Sequence, residues 1–117
     1  MIEGIGIDLV ELNRIEALIG RQPNFPARIL TQREMTRYLE LSAHRQIEFL
    51  AGRFAAKEAF SKAIGTGIGE GMSFLDIEIL PNEMNKPIVY TELFHGNSHV
   101  SISHSKDYAI AQIILEK

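Results

Sequence analysis

The chain opens with a period of two. In Met1–Val10 (MIEGIGIDLV), Glu3, Ile5, Ile7 and Leu9 fall on one face, and Ile2, Gly4, Gly6 and Asp8 on the other. This predicts a strand whose two glycines let other backbone come close. Glu11–Ile19 changes to a helical period with Leu12, Ile15 and Ile19 inward, and Gly20, Pro23 and Pro26 then break the chain. Thr31-Gln32-Arg33-Glu34 fits a capping box and starts a helix to about Leu41. The longest helical pattern runs from Gln46 to Ile64, with Ser42 placed to cap it. Its Ile47, Leu50, Ala51, Phe54, Ala55, Glu58, Ser61 and Lys62 form one stripe. Phe49, Ala56, Phe60 and Ala63 line the opposite side, so burial on two faces is expected. Beyond the glycines that follow, the period returns to two. Ser73–Leu80 turns Leu75, Ile77 and Ile79 inward, and strands at Lys86–Thr91, His99–His104 and Tyr108–Leu115 come after turns. The pattern predicts an α+β chain: an N-terminal strand and helices, a long central helix, and an antiparallel sheet from the C-terminal half that the first strand joins.

At 117 residues the expectation is a single domain, 1–117. No apolar run is long enough to span a bilayer and no signal-peptide pattern opens the chain, so no membrane partner is expected. The absence of cysteine removes disulfides and thiolate chemistry and fits a cytoplasmic chain. A net charge of −3 argues against a nucleic-acid partner. That charge is unevenly spread. Between Asn13 and Arg37 stand five arginines (Arg14, Arg21, Arg28, Arg33, Arg37) against Glu16 and Glu34, a local charge of +3. This is either a solvated face or a docking surface for an acidic partner.

Five residues carry two readings each. Glu58 and Lys62 have the spacing of a helical ion pair, but they close an apolar stripe just before Gly65, Gly67, Gly69 and Gly71. Four glycines in seven residues exceed a helix cap and suit a backbone that approaches a phosphate with its metal ion. The run is neither a P-loop nor a dinucleotide fingerprint. Asp8, at a strand end, is a helix N-cap or a metal ligand. Phe25, between prolines, is a core residue or an exposed anchor for a partner. His104 is a core histidine or, beside Ser105 and Lys106, part of a phosphate site.

GIGIDLVE, FLAGRFAAKEAFSKAIGTGIG and HVSISHSKDYAIAQ together resemble the holo-acyl-carrier-protein synthases, the small bacterial phosphopantetheinyl transferases. The likeness extends over essentially the whole chain and is most specific in the central motif; Met84–Ser98 is least typical. It implies the phosphopantetheinyl transferase fold and transfer of 4′-phosphopantetheine from coenzyme A to a serine of apo acyl carrier protein. It also implies Mg²⁺, release of adenosine 3′,5′-bisphosphate, and a homotrimer with active sites between subunits. By the same resemblance Asp8 and Glu58 are metal ligands and, with Lys62, catalytic. Ser61, Lys62 and Gly65 correspond to diphosphate and nucleotide contacts, and Arg53, Pro87, His104 and Ser105 to contacts across the subunit boundary. Arg14, Leu18, Arg21, Gln22, Phe25 and Arg28 correspond to the surface for the acidic carrier. The serine's proton acceptor is read as a metal-held water, with His104 the other conventional base. Two other functions use the same residues: a Mg²⁺-dependent phosphohydrolase, and a non-catalytic nucleotide-binding oligomeric module.

Overall fold

Two glycines decide where the first strand lies. β1 (Ile2–Glu11) turns Gly4 and Gly6 onto the long helix α4 (Ala43–Ile64), where a methyl on Gly4 would collide with the Ala63 carbonyl and one on Gly6 with that of Ala59. Between them the chain forms α1 (Leu12–Arg21), α2 (Phe25–Ile29) and α3 (Gln32–Leu39). Strands β2 (Ile77–Pro81), β3 (Pro87–Thr91), β4 (Asn97–His104) and β5 (Tyr108–Glu116) follow α4. The computed structural model describes residues 1–69 and 71–117; Glu70, within the glycine run, lies outside the described residues.

The expected α+β architecture is borne out, with differences in detail. Hydrogen bonding gives two antiparallel sheets instead of one: β1-β5-β4, and the separate hairpin β2-β3. In the larger sheet Asp8 lies opposite Ala111 and His104 opposite Ala109. The strand expected from Ser73 begins only at Ile77. Ser73 and Asp76 cap a 3₁₀ turn, Phe74–Asp76, the Ser73 hydroxyl accepting from the Leu75 amide and Asp76 from the Ser73 amide. These local bonds outcompete a ladder, and Leu75 is exposed, not inward.

α2 occupies a stretch whose composition reads as a turn. Pro26 stands in its first turn, where a missing amide hydrogen is tolerated. The Thr31–Glu34 capping box forms as the sequence predicts, while Ser42 takes the N-cap position of α4 without a capping bond from its side chain. α4 is apolar on most sides and packs Leu50, Ala51, Ala55, Ala59 and Phe60 against Ala109, Ala111, Ile113 and Leu115 of β5 and Ile77 and Ile79 of β2. The outer face of β1 is uncovered: Ile5, Ile7 and Leu9 are each more than half exposed. No helix among the described residues is long and apolar enough to cross a membrane.

The contact of β1 on α4 leaves no room for a side chain. Gly6→Ala should lower stability by about 1–3 kcal/mol or more, the range for overpacking a tight site. Gly20→Ala, in a helix with nothing near the new methyl, should raise it by about 0.5–1 kcal/mol. Thermal melts of the two variants test both signs.

Candidate active site

Two strand residues advance about 6.6 Å and four helix residues about 6 Å, so β1 and α4 stay in step as they pass. Gly4 meets Ala63 and Gly6 meets Ala59. The next inward residue, Asp8, is thereby carried one turn further back along α4, toward the level of Ala55, and the long Lys62 side chain reaches back to it. The Lys62 Nζ donates to Asp8 Oδ1 at 3.1 Å and to the Ile7 carbonyl at 3.0 Å. Lys62 therefore pairs with Asp8 rather than with Glu58, and Asp8 is not a helix cap, because Glu11 holds the N-cap position of α1.

Glu58 is half-buried beside them. Burial raises its carboxyl above the ordinary value of 4.5, the neighbouring Asp8 charge raises it further, and Lys62 and Arg14 oppose both. The charge of Asp8 is thus felt at Glu58, with Lys62 and Arg14 beside them. An oxygen donor pair of this kind, lacking sulfur or nitrogen, fits Mg²⁺, which takes one or two carboxylates and fills its remaining positions from water or phosphate. Among the described residues no group of three acidic, histidine or cysteine side chains converges; a site on Asp8 and Glu58 would need substrate or solvent oxygens to be complete.

α4 ends at Gly65 in the left-handed conformation, and Gly67, Gly69 and Gly71 also have positive φ. Ser61 is fully buried, and its hydroxyl donates to the Glu58 carbonyl at 2.6 Å, so its side chain faces inward.

Arg53, Pro87 and His104 meet elsewhere. They line a cavity of about 250 Å³ together with Arg37, Arg45, Glu48, Phe49 and Asn85. Arg53 lies over the Phe49 ring at 4.2 Å and donates to the Ile79 carbonyl. Burial pushes its guanidinium down to about 10, against the pull of Glu34 and with repulsion from Arg37, so it remains charged at neutral pH. His104 Nδ1 is 3.2 Å from Glu48 Oε2. Glu48 and Glu58 are separated by ten residues, about 15 Å of helix axis, so within one chain His104 is not the base for a reaction at Asp8 and Glu58. Ser105 lies in the turn after β4, its hydroxyl accepting from the Tyr108 amide at 3.2 Å.

On the basic segment Arg14, Arg21, Gln22 and Arg28 are exposed, with Arg28 donating to Gln22 Oε1, and Leu18 is half-buried. Of the two readings of Phe25 the structure takes the core one: the residue is 7% exposed and its ring centroid is 6.2 Å from that of Phe54. Arg14 reaches from this surface toward the acidic pair, its guanidinium 5.9 Å from the Phe54 ring.

Residues 4–113 match the family described as the 4′-phosphopantetheinyl transferase superfamily. The chain belongs to that superfamily. It is 57% identical over 118 residues to the holo-[acyl-carrier-protein] synthase of Bacillus subtilis, covering all of this chain and 98% of the relative. Among solved structures it superimposes with a TM-score of 0.93 on a holo-(acyl-carrier-protein) synthase from Bacillus anthracis in complex with CoA (3′,5′-ADP), at 54% identity, covering 100% and 98% of the two chains. The synthase of Neisseria meningitidis gives a TM-score of 0.90 at 35% identity over the full length of both.

The raised carboxyl of Glu58 fixes a sign. A group bound to its proton more tightly in the folded state adds stability below its unfolded value, and loses it as pH rises through the folded value. In metal-free buffer at pH 7, Glu58→Gln should therefore melt higher than the parent, with the gap closing toward pH 4. Melting curves across that range test the sign; a helical Glu58–Lys62 ion pair would give a variant that melts lower at pH 7.

Proposed function

We propose that this chain, acting as a single domain over 1–117, is a Mg²⁺-dependent holo-acyl-carrier-protein synthase. It moves 4′-phosphopantetheine from coenzyme A to a serine hydroxyl of an acidic apo carrier protein and releases adenosine 3′,5′-bisphosphate. A cytoplasmic setting belongs to the same reading. The observation that carries it is the convergence of Asp8, Glu58 and Lys62 at the end of α4, where the glycine run begins.

In this transfer the serine Oγ–phosphorus bond forms and the bond from phosphorus to the pyrophosphate bridging oxygen breaks. Negative charge grows on the leaving phosphate, and positive groups fixed in place lower that barrier. Mg²⁺ held by Asp8 and Glu58 would supply part of this charge. Lys62 supplies another part: its ammonium is held at the acidic pair by Asp8 and the Ile7 carbonyl, and its side chain is half-exposed. Gly65 lets the backbone turn away at once, leaving the helix end open to a large anionic substrate. Arg14, Arg21 and Arg28 present positive charge on the approach for the carrier, with Gln22 and half-buried Leu18 beside them.

Arg53, Pro87, His104 and exposed Ser105 are assigned to the nucleotide of a neighbouring copy's site. Two features support assembly as a homotrimer: these residues sit away from Asp8 and Glu58 in one chain, and Ile5, Ile7 and Leu9 expose an apolar sheet face.

A mass spectrum of apo carrier protein after incubation with the chain, coenzyme A and Mg²⁺ should show the mass of one added phosphopantetheine. Cleavage of coenzyme A without that gain would identify a phosphohydrolase, and binding without either a non-catalytic module. Asp8→Asn and Glu58→Gln should each lower the rate by about 10²-fold or more while remaining folded. Mixing Glu58→Gln chains with Arg53→Ala chains, each inactive alone, should restore part of the activity once subunits exchange. Persistent inactivity after demonstrated exchange would exclude shared sites.

A further inference from the structure

Behind Glu58, on the inner side of α4, lies an ion pair that the acidic site does not use. Lys57 and Glu34 are both fully buried, with Nζ and Oε1 2.6 Å apart. Lys57 Nζ also donates to the carbonyl of Ile29, the last residue of α2, at 2.7 Å. Glu34 Oε1 accepts from the Thr31 amide at 2.8 Å, and its Oε2 accepts from the Ile79 amide of β2 at 2.8 Å. One carboxylate thus receives bonds from α4, the start of α3 and β2, while its lysine fixes the end of α2.

Burial alone does not explain this choice. Burial lowers the Lys57 pKa, and Glu34 opposes the shift. Replacing a buried ion pair by apolar side chains of similar volume is often neutral or stabilising. What an apolar pair lacks is direction: packed methyl groups tolerate an ångström of sliding, and a hydrogen bond from Nζ to one carbonyl does not. Lys57 immediately precedes Glu58, so one turn of α4 carries both the acidic site and the anchor of α2. Ile29 is next in sequence to Arg28, which bonds Gln22. A misplacement of about 1 Å between reacting groups can lower a rate about 10²-fold.

We propose that Lys57 and Glu34 are positioning residues for the carrier protein: through the Ile29 carbonyl they set the arginine-bearing surface of α1 and α2 at a fixed distance from Glu58. This rests on the reading that Arg14, Arg21 and Arg28 receive the carrier.

The test compares two variants of the pair with a charge reversal on the surface. Lys57→Met/Glu34→Gln removes both charges together and keeps a polar group at position 34 for the Ile79 amide. Lys57→Arg keeps the charge but changes the donor geometry. Each should lower kcat/KM for the apo carrier by about tenfold or more, between the effect of a lost hydrogen bond and a full misplacement. The dissociation constant for coenzyme A should stay within about twofold of the parent, and the salt dependence of carrier kinetics should be retained, since no exposed charge is lost. Arg28→Glu should instead flatten the salt dependence. If Lys57→Met/Glu34→Gln does not fold, Lys57→Arg alone decides. Parent-like carrier kinetics in the folded pair variants, or equal losses for carrier and coenzyme A, would overturn the positioning role while Arg28→Glu still acts. If Arg28→Glu, Arg14→Glu and Arg21→Glu all left the carrier kinetics and their salt dependence unchanged, the docking surface itself would be wrong.

Discussion

The backbone of β1 lies directly on the backbone of α4, and the rest of the site depends on that contact. A strand and a helix ordinarily stand apart by the thickness of their side chains, about 10 Å between axes. Here Gly4 and Gly6 face the carbonyls of Ala63 and Ala59, and nothing intervenes. The shared step of about 6 Å per strand pair and helix turn then carries Asp8, two residues on, one turn back from Ala59, where the long Lys62 side chain reaches back to meet it. A short aspartate can reach the Lys62 ammonium only because the two elements are this close. The small residues of the first strand and the charged residues of the long helix are two parts of one geometric requirement.

The same contact explains what could be read from the chain. The alternation of MIEGIGIDLV assigns Gly4, Gly6 and Asp8 to one face, and the stripe on α4 assigns Glu58 and Lys62 to the end of another. Both are local periodicities, so the two halves of the acidic site were legible. Which charge pairs with which was not: helical spacing joins Glu58 to Lys62, whereas the fold joins Lys62 to Asp8, 54 residues away. Local capping was legible at Thr31–Glu34. At Ser73–Asp76 the apolar alternation of Leu75, Ile77 and Ile79 pointed to a strand and masked an equally local cap. Glu34 shows the limit most clearly. The capping box identifies it as the residue that reaches back to Thr31, but a capping glutamate is usually solvated, and nothing in its neighbours announces a lysine from α4. The burial of Phe25 and Ser61 was not legible for a related reason: resemblance transfers a position, while burial depends on which side chains surround it in this fold.

Charge differs between the two ends of α4. Its first half borders the cavity, where Arg37, Arg45 and Arg53 outnumber Glu48, and its last turns bring Glu58 and Lys62 to Asp8 of β1. Between the two ends the helix is buried on both flanks, and its interior ion pair is fully satisfied by Ile29, Thr31 and Ile79. An anion with several phosphates would be attracted to the arginine end, and a divalent cation to the carboxylate end. The cavity end at Glu48 lies about 15 Å along the helix from Glu58, and Arg53, five residues and about 7.5 Å from Glu58, lines the cavity instead. A substrate that used both the far end of the cavity and the acidic pair would be a long one, or would lie between two copies of the chain. The second copy is the reading supported by the apolar outer face of β1.

That outer face adds a constraint of its own. Ile5, Ile7 and Leu9 alternate with Gly6 and Asp8 on a ten-residue strand that is the edge of its sheet. A one-residue slip of β1 against β5 would exchange its faces, placing isoleucine against the Ala59 and Ala63 carbonyls and exposing glycine. The register is thus fixed from the inside by the absence of side chains, and from the outside by apolar side chains that gain from being covered. If neighbouring copies cover them in the proposed trimer, assembly and the placement of Asp8 are consequences of the same register. Coupling of this kind needs no conformational change, because the strand that would form the interface is already the strand that presents the carboxylate.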